Sequence, residues 1–175
     1  MPWISPKVMT DIFADEPRDF VSVDAIGNGT RLAPKGATLV MVRGMGLHEK
    51  VRVSQAVRDV TFNQDVKALV PRGIKPGLLL FTLLHAQQEL LGKVESSGHG
   101  TGKMPSEILL SYPVTMPSVG VQAVLATYFD AFIERMVIAR AESRTLAELR
   151  DLLLPRLLSG ELRIRDAEKA VEAAL

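Results

Sequence analysis

Residues 117–160 read PSVGVQAVLATYFDAFIERMVIARAESRTLAELRDLLLPRLLSG, and this stretch decides the fold. Apolar or small side chains recur within it at alternating steps of four and three residues. That spacing is typical of a helix that packs lengthwise against another helix. The residues of this seam are Leu125, Phe129, Phe132, Met136, Ala139, Ser143 and Leu146, continued after a slip in the spacing by Leu149 and Leu153. Charged residues mostly occupy the other faces, so one side of the predicted helix needs a partner.

The ends of this helix can also be predicted. Ser118 is a suitable N-cap after Pro117, and Gly160 is a suitable C-terminal stop. Pro155 is expected to kink or divide the helix. From Ser118 to Leu154 the helix would measure roughly 55 Å, which is longer than a small domain is wide.

The composition limits the class of protein. The chain has 175 residues, 47% of them hydrophobic, which is enough for one domain with a core and a helical extension. No segment approaches ~20 apolar residues without charge, and the first residues do not read as a secretory signal. We therefore expect a cytoplasmic protein with no membrane partner. The lack of cysteine excludes disulfides, thiolate zinc sites and cysteine nucleophiles.

The region before the long helix predicts strands and one buried helix. Pro76–Leu91 is long enough for a helix and is apolar nearly all round in its first half. The predicted strands are residues 37–43, 51–53, 66–70 and 108–114. The fold class is therefore α+β, a small mixed-sheet domain followed by a long helix that pairs as in a coiled coil.

The sequence offers no site for catalysis. Residues 98–103, GHGTGK, resemble a phosphate-binding loop, but Met104 stands where that loop has a hydroxyl residue and Pro105 follows. His48, His85 and His99 lack the spacing of metal ligands. Neither a nucleophile elbow nor a cofactor fingerprint occurs. The sequence therefore predicts no catalytic residue, no metal and no cofactor.

Residues 145–164, TLAELRDLLLPRLLSGELRI, resemble the C-terminal conserved region of the DNA-specificity subunit of type I restriction–modification enzymes. Other short motifs follow the order that this family uses. They are Pro34–Gly44, Phe62–Asp65, Ser96–Gly98 and Leu109–Val114, the last followed by Met116-Pro117. The resemblance depends on the ordered set together with LLLPRLLSGEL, since none of the other motifs is specific alone.

The resemblance implies a target-recognition domain in residues 1–116, which begins part-way through the domain of the family, and a conserved helical region in residues 117–175. It implies a non-catalytic subunit that reads one half of a bipartite site in double-stranded DNA. The implied protein partners are methyltransferase subunits and, through the complex, restriction subunits. Because this chain has no second long helix to cover the seam, we expect a homodimer through antiparallel helices.

The DNA-reading residues of such a domain should lie where family members differ. Loops 45–50 and 99–103 are therefore candidates, although a solvated turn remains open for the second. Arg43 ends a predicted strand, and arginine is well shaped to read guanine. The candidate DNA-binding residues are Arg43, His48, Lys50, His99, Thr101, Lys103, Lys7 and Lys35. For Asn63-Gln64 we favour a structural turn.

Residues 152–158 carry more apolar surface than one helix seam needs, because consecutive leucines point in different directions round a helix. Part of this surface should be available to the methyltransferase subunit. The candidate docking residues are Leu154, Arg156, Leu157 and Leu158.

Net charge weakens the DNA-binding interpretation. The whole chain carries +1, with 13 Lys/Arg against 11 Asp/Glu in residues 1–116 and 8 against 9 in residues 117–175. Phosphate binding often leaves a more basic composition. The alternative function is a coiled-coil assembly module, a truncated remnant without DNA binding of its own.

Overall fold

The computed structural model describes residues 1–14, 17–97 and 100–172. The chain forms two compact units, Met1–Asp130 and Ala131–Leu175. Every strand of the described residues lies in the first unit, and one long helix runs from the first unit into the second. The α+β fold class is confirmed.

The described part of the first unit contains short strands that pair into three sheets. The strands are β1 Pro2–Ile4, β2 Asp19–Phe20, β3 Arg31–Ala33, β4 Thr38–Met41, β5 Arg43–Gly44, β6 Val53–Gln55, β7 Val60–Phe62, β8 Val66–Leu69, β9 Glu95–Ser97 and β10 Thr101–Lys103. The sheet orders are β2-β1-β7-β3, β6-β4-β8 and β5-β10-β9. The β1–β7 pair is parallel and the others are antiparallel, so the predicted mixed sheet is present.

Strand β4 lies at the centre of the core. Its four residues are all buried, and it pairs with β6 on one side and β8 on the other. The chain leaves this sheet at Val42, whose N–H donates to Asp65 O (2.8 Å) while Met104 N–H donates to Val42 O (2.8 Å). The predicted strand 37–43 is therefore confirmed, but it is shared between two sheets.

The described helices are α1 Pro76–His85, α2 Gln87–Leu91, α3 Ser106–Leu110, α4 Val119–Leu158 and α5 Ile164–Glu172. Helix α1 packs on β4 and β6 through leucines of its first half, as the sequence predicts. The single helix expected over Pro76–Leu91 is divided at Ala86. Directly after this division, Gln87 Nε2 donates to Val51 O (2.7 Å).

The strand predicted over residues 108–114 is wrong. Ser106–Leu110 form α3 instead. Glu107 lies in its first turn, where a negative charge interacts favourably with the helix dipole and stabilises the helix. Ser111 Oγ donates to Glu107 O (2.7 Å) at the end of this helix. Conversely, the sequence pattern does not predict β1, β2, β3, β7, β9 or β10.

Tyr112, which follows α3, and Phe129, in the first part of α4, both contact residues earlier in the first unit. Tyr112 Oη donates to Glu89 Oε2 (2.7 Å), and Lys93 Nζ lies 2.8 Å from Glu89 Oε1. The hydrogen bond from Lys93, and then that from Tyr112, lowers the pKa of Glu89, and the same carboxylate raises the pKa of Tyr112. The Phe129 ring packs against Phe81 with centroids 4.8 Å apart.

Helix α4 spans 40 residues, which corresponds to about 60 Å. It begins directly after Ser118 and ends two residues before Gly160, which has φ +75°. Both predicted ends are therefore confirmed. The expected division at Pro155 is wrong, because α4 continues through Pro155 to Leu158. Within the described ranges, no helix is long and apolar enough to cross a bilayer.

Candidate nucleic-acid interface

The sheet β5-β10-β9 brings two of the predicted DNA-binding residues together. Lys103 lies in the middle strand, directly opposite Arg43 on one side and Glu95 on the other. Directly opposite residues of antiparallel strands point to the same face, with Cβ atoms about 4.5–5.5 Å apart. All three side chains are exposed. We call Arg43, Lys103 and Glu95 the charged row.

The fold does not neutralise the two cations of this row. Neither the Arg43 nor the Lys103 side chain makes an ion pair or hydrogen bond with any described residue. Like charges opposite each other destabilise a strand pair. Arg43 and Lys103 therefore place two positive charges side by side, and with Glu95 on the other side of Lys103 the row keeps a net charge of +1, which suits contact with an anion.

His99 is another of the predicted DNA-binding residues. Gly98 and His99 lie outside the described residues. Thr101 is half-buried and pairs with Ser97 at the start of β10. The prediction of a loop over 99–103 is wrong for Thr101–Lys103, which form β10, and Lys103 lies on the charged row.

A cleft of about 560 Å³ adjoins Arg43 and also contains Lys7. Its wall includes Trp3 and Met45, and Met45 is 75% exposed. Two carboxylates, Asp19 and Asp65, line the same cleft. Mixed donors, acceptors and apolar groups suit the edges of bases better than they suit phosphate alone. We call it the mixed cleft.

The other predicted cations lie elsewhere. Lys50 lines a different cleft of about 320 Å³, beside Met9 and Leu84. Lys35 is exposed, and its backbone N–H donates to Asp59 Oδ1 (2.9 Å). His48 is exposed at the end of the 3-10 helix Met45–His48. The charged row therefore brings Lys103 next to Arg43, and the mixed cleft contains Lys7 as well as Arg43. Lys35 and Lys50 belong to neither.

The Asn63-Gln64 pair forms the structural turn that the sequence favours. Asn63 Oδ1 accepts a hydrogen bond from Asp65 N–H (3.1 Å), and Asn63 Nδ2 donates to Asp65 Oδ2 (3.3 Å). This turn fixes Asp65, whose carbonyl accepts from Val42 N–H. The turn therefore affects the charged row only indirectly, because the hydrogen bond to Asp65 O helps to position β5.

Sequence reasoning missed Trp3 as part of this surface. Trp3 belongs to β1, far from Arg43 along the chain, and only the folded sheets bring both to the mixed cleft. The only signal in the sequence is that Trp3 is the single tryptophan. No group of three or more His, Asp or Glu residues that could hold a metal occurs among the residues described.

Comparison with known proteins gives two likenesses. The chain is 26% identical over 135 residues to the type I restriction enzyme EcoR124I/EcoR124II specificity subunit of Escherichia coli. The chain is similar to type I specificity subunits. The match covers 75% of this chain and 33% of the relative, so the chain spans about a third of that subunit. The resemblance inferred from the C-terminal motifs is thereby confirmed.

A solved structure supports the fold. The chain matches a protein from a structure that describes assembly and conformational transition of the type I R-M system, with a TM-score of 0.57 and 21% identity. The match covers 86% of this chain and 35% of the other. No protein-family model matches the sequence. The fold is therefore shared with that protein over most of this chain, and not only over the C-terminal motifs.

Gly102 is predicted to be essential for the geometry of the charged row. A Cβ on Gly102 would lie 3.1 Å from Leu47 Cβ, 3.2 Å from Val94 Cγ1 and 3.3 Å from Gly44 O. Gly102→Ala should therefore lower the free energy of unfolding by about 1–3 kcal/mol, measured by urea denaturation.

Gly120→Ala is the matched control, because a Cβ there meets nothing within 4 Å and the residue lies in α4. It should raise stability by roughly 0.5–1 kcal/mol. Equal stability of Gly102→Ala and the unmodified chain would show that the hairpin does not depend on this close approach.

Proposed function

We propose that this chain is a DNA-recognition module of a cytoplasmic type I restriction–modification complex. It reads one half of a bipartite DNA site, docks methyltransferase subunits and, through them, joins restriction subunits. The main support is the charged row, which places Arg43 and Lys103 side by side, exposed and without an ion-pair partner among the described residues. The chain performs no catalysis in this proposal, and its role is recognition.

The two cations of the row have different tasks. Arg43 adjoins the mixed cleft, so its guanidinium can reach a base edge, where arginine pairs well with guanine. Lys103 carries a flexible point charge, which suits phosphate. The half-site is thus read at the mixed cleft, and Lys103 on β10 positions the duplex through its phosphates.

Pairing of two copies through α4 supplies the second half of the site. In the first unit, Phe129 of the predicted seam already packs on Phe81, while Val124 and Tyr128 are exposed. In the second unit, Phe132 is 59% exposed and Leu146 is 47% exposed. Exposed apolar side chains along one helix favour association with another copy in an antiparallel, symmetric dimer.

The C-terminal end of α4 is the proposed docking surface for the methyltransferase. Leu154 is 49% exposed and Leu158 is 80% exposed. Leu153, in contrast, is buried, so it packs within the chain while Leu154 and Leu158 remain accessible to a partner. Arg156 makes an exposed salt bridge with Glu161 (3.3 Å), which holds the chain beyond the helix close to this surface.

The DNA-binding part is tested by two substitutions with different expected effects. Lys103→Ala should weaken binding to all sequences and reduce the slope of log K against log salt by about 0.9. Arg43→Ala should relax preference at one base pair, a loss of about 1–3 kcal/mol of discrimination. Binding is measured by fluorescence anisotropy on duplexes selected from a random pool, with the methyltransferase present.

If a well-folded complex with the methyltransferase binds no DNA, the chain is an assembly module and the recognition role is wrong. If DNA binds and neither variant changes it, the DNA face lies elsewhere on the recognition unit.

The dimer is tested by Phe132→Asp, which places a carboxylate in the apolar contact and should weaken association by about 2 kcal/mol. Ala141→Asp is the control, since nine residues further along the helix is the opposite face. Sedimentation velocity at tens of micromolar should give a dimer for the control and a monomer for Phe132→Asp. A monomeric unmodified chain would rule out pairing through α4.

Docking is tested by Leu154→Asp combined with Leu158→Asp. This variant should lose co-purification with the methyltransferase by about tenfold or more, about 1.4 kcal/mol, while its sedimentation remains that of a dimer. Ala141→Asp again provides the control for an added charge. Full recovery of methyltransferase with the double variant would exclude these leucines from the interface.

A further inference from the structure

A second cleft of the first unit differs from the mixed cleft in its charge. Its volume is about 540 Å³, and it lies between β3 and β8, which are edge strands of two different sheets. Arg31 and Lys67 line it, and none of its lining residues is a carboxylate. We call it the cationic cleft.

The two cations are available to a ligand. Both side chains are exposed, and neither makes an ion pair or a side-chain hydrogen bond within residues 1–14, 17–97 and 100–172. Their backbones are firmly held, because Arg31 pairs with Phe62 in β7 and Lys67 pairs with Val40 in β4. Charge is thus presented from a rigid support, which lowers the entropic cost of binding.

The turn beside Arg31 adds a backbone donor. Gly29 is exposed with φ +149°, and its N–H donates to no acceptor in the described part of the chain. In contrast, Gly27 N–H donates a hydrogen bond to Thr30 O (2.9 Å). Phosphate oxygens accept hydrogen bonds from arginine, lysine and backbone N–H groups, and all three occur at this cleft.

The cationic cleft adjoins the proposed base-reading surface at one residue, because Asn63 lines both clefts. Asp19 and Asp65 line the mixed cleft, and no carboxylate of the described residues lines the cationic cleft. A phosphate is therefore repelled less on the side of Arg31 and Lys67.

We infer that Arg31 and Lys67 form a sequence-independent contact with the DNA phosphate backbone, next to the half-site that the mixed cleft reads. This inference rests on the proposed function. It assigns the two clefts different tasks, since one reads bases and the other holds the duplex in place.

The test compares Arg31→Gln, Lys67→Gln and the double variant in the full chain with its methyltransferase. The probe is a 30-base-pair duplex of random sequence, titrated between 50 and 200 mM salt. Each single variant should lower the salt slope by about 0.9 and the double variant by about 1.8. The ratio of affinities for a selected and a scrambled duplex should remain within about twofold of the unmodified chain, unlike that of Arg43→Ala.

Lys75→Gln is the matched control, because Lys75 is exposed and lines neither cleft. Salt slopes of the double variant equal to those of this control, with DNA binding otherwise normal, would overturn the inference. Loss of binding to polyglutamate by the double variant, with an unchanged DNA slope, would also overturn it and assign the cleft to an acidic protein. If the unmodified complex binds no DNA, the proposed function itself fails.

Discussion

The arrangement of the recognition unit depends on the hydrogen bonds of Val42. Its N–H is held by Asp65 O and its carbonyl by Met104 N–H, each at 2.8 Å. One residue therefore joins the buried sheet of β4 to the exposed sheet of β5 and β10. Because buried backbone groups must be satisfied, this link fixes where the chain passes from core to surface.

The position of the charged row follows from that link. Arg43 comes directly after Val42, so its backbone cannot shift without breaking a bond to the core. On the other strand, Lys103 directly precedes Met104, which is buried and bonded to Val42. Both cations are thus one residue from the same anchored pair. A site placed in this way loses little entropy when it binds, which favours specificity over adaptability.

The sequence predicts features that arise from local periodicity and fails where distant segments meet. The ends of α4 and the buried leucines of α1 follow from local patterns. The pairing of β10 with β5 joins residues some sixty positions apart, and no local signal specifies it. Arg43 and Lys103 could therefore be named one at a time, but their position opposite each other could not. The mixed and cationic clefts, which need β1, β3, β7 and β8 together, were out of reach for the same reason.

The near-neutral charge of the chain is compatible with local cationic surfaces. The 21 Lys and Arg residues almost balance the 20 Asp and Glu residues, so the field of the whole chain is weak. At 0.1 M salt the Debye length is about 10 Å, and exposed charges further apart hardly interact. Contact with an anion then depends on which cations lack a carboxylate nearby, as in the cleft lined by Arg31 and Lys67. Such a surface gains little from long-range steering, so a partner that brings positive charge of its own would speed association as well as strengthen it.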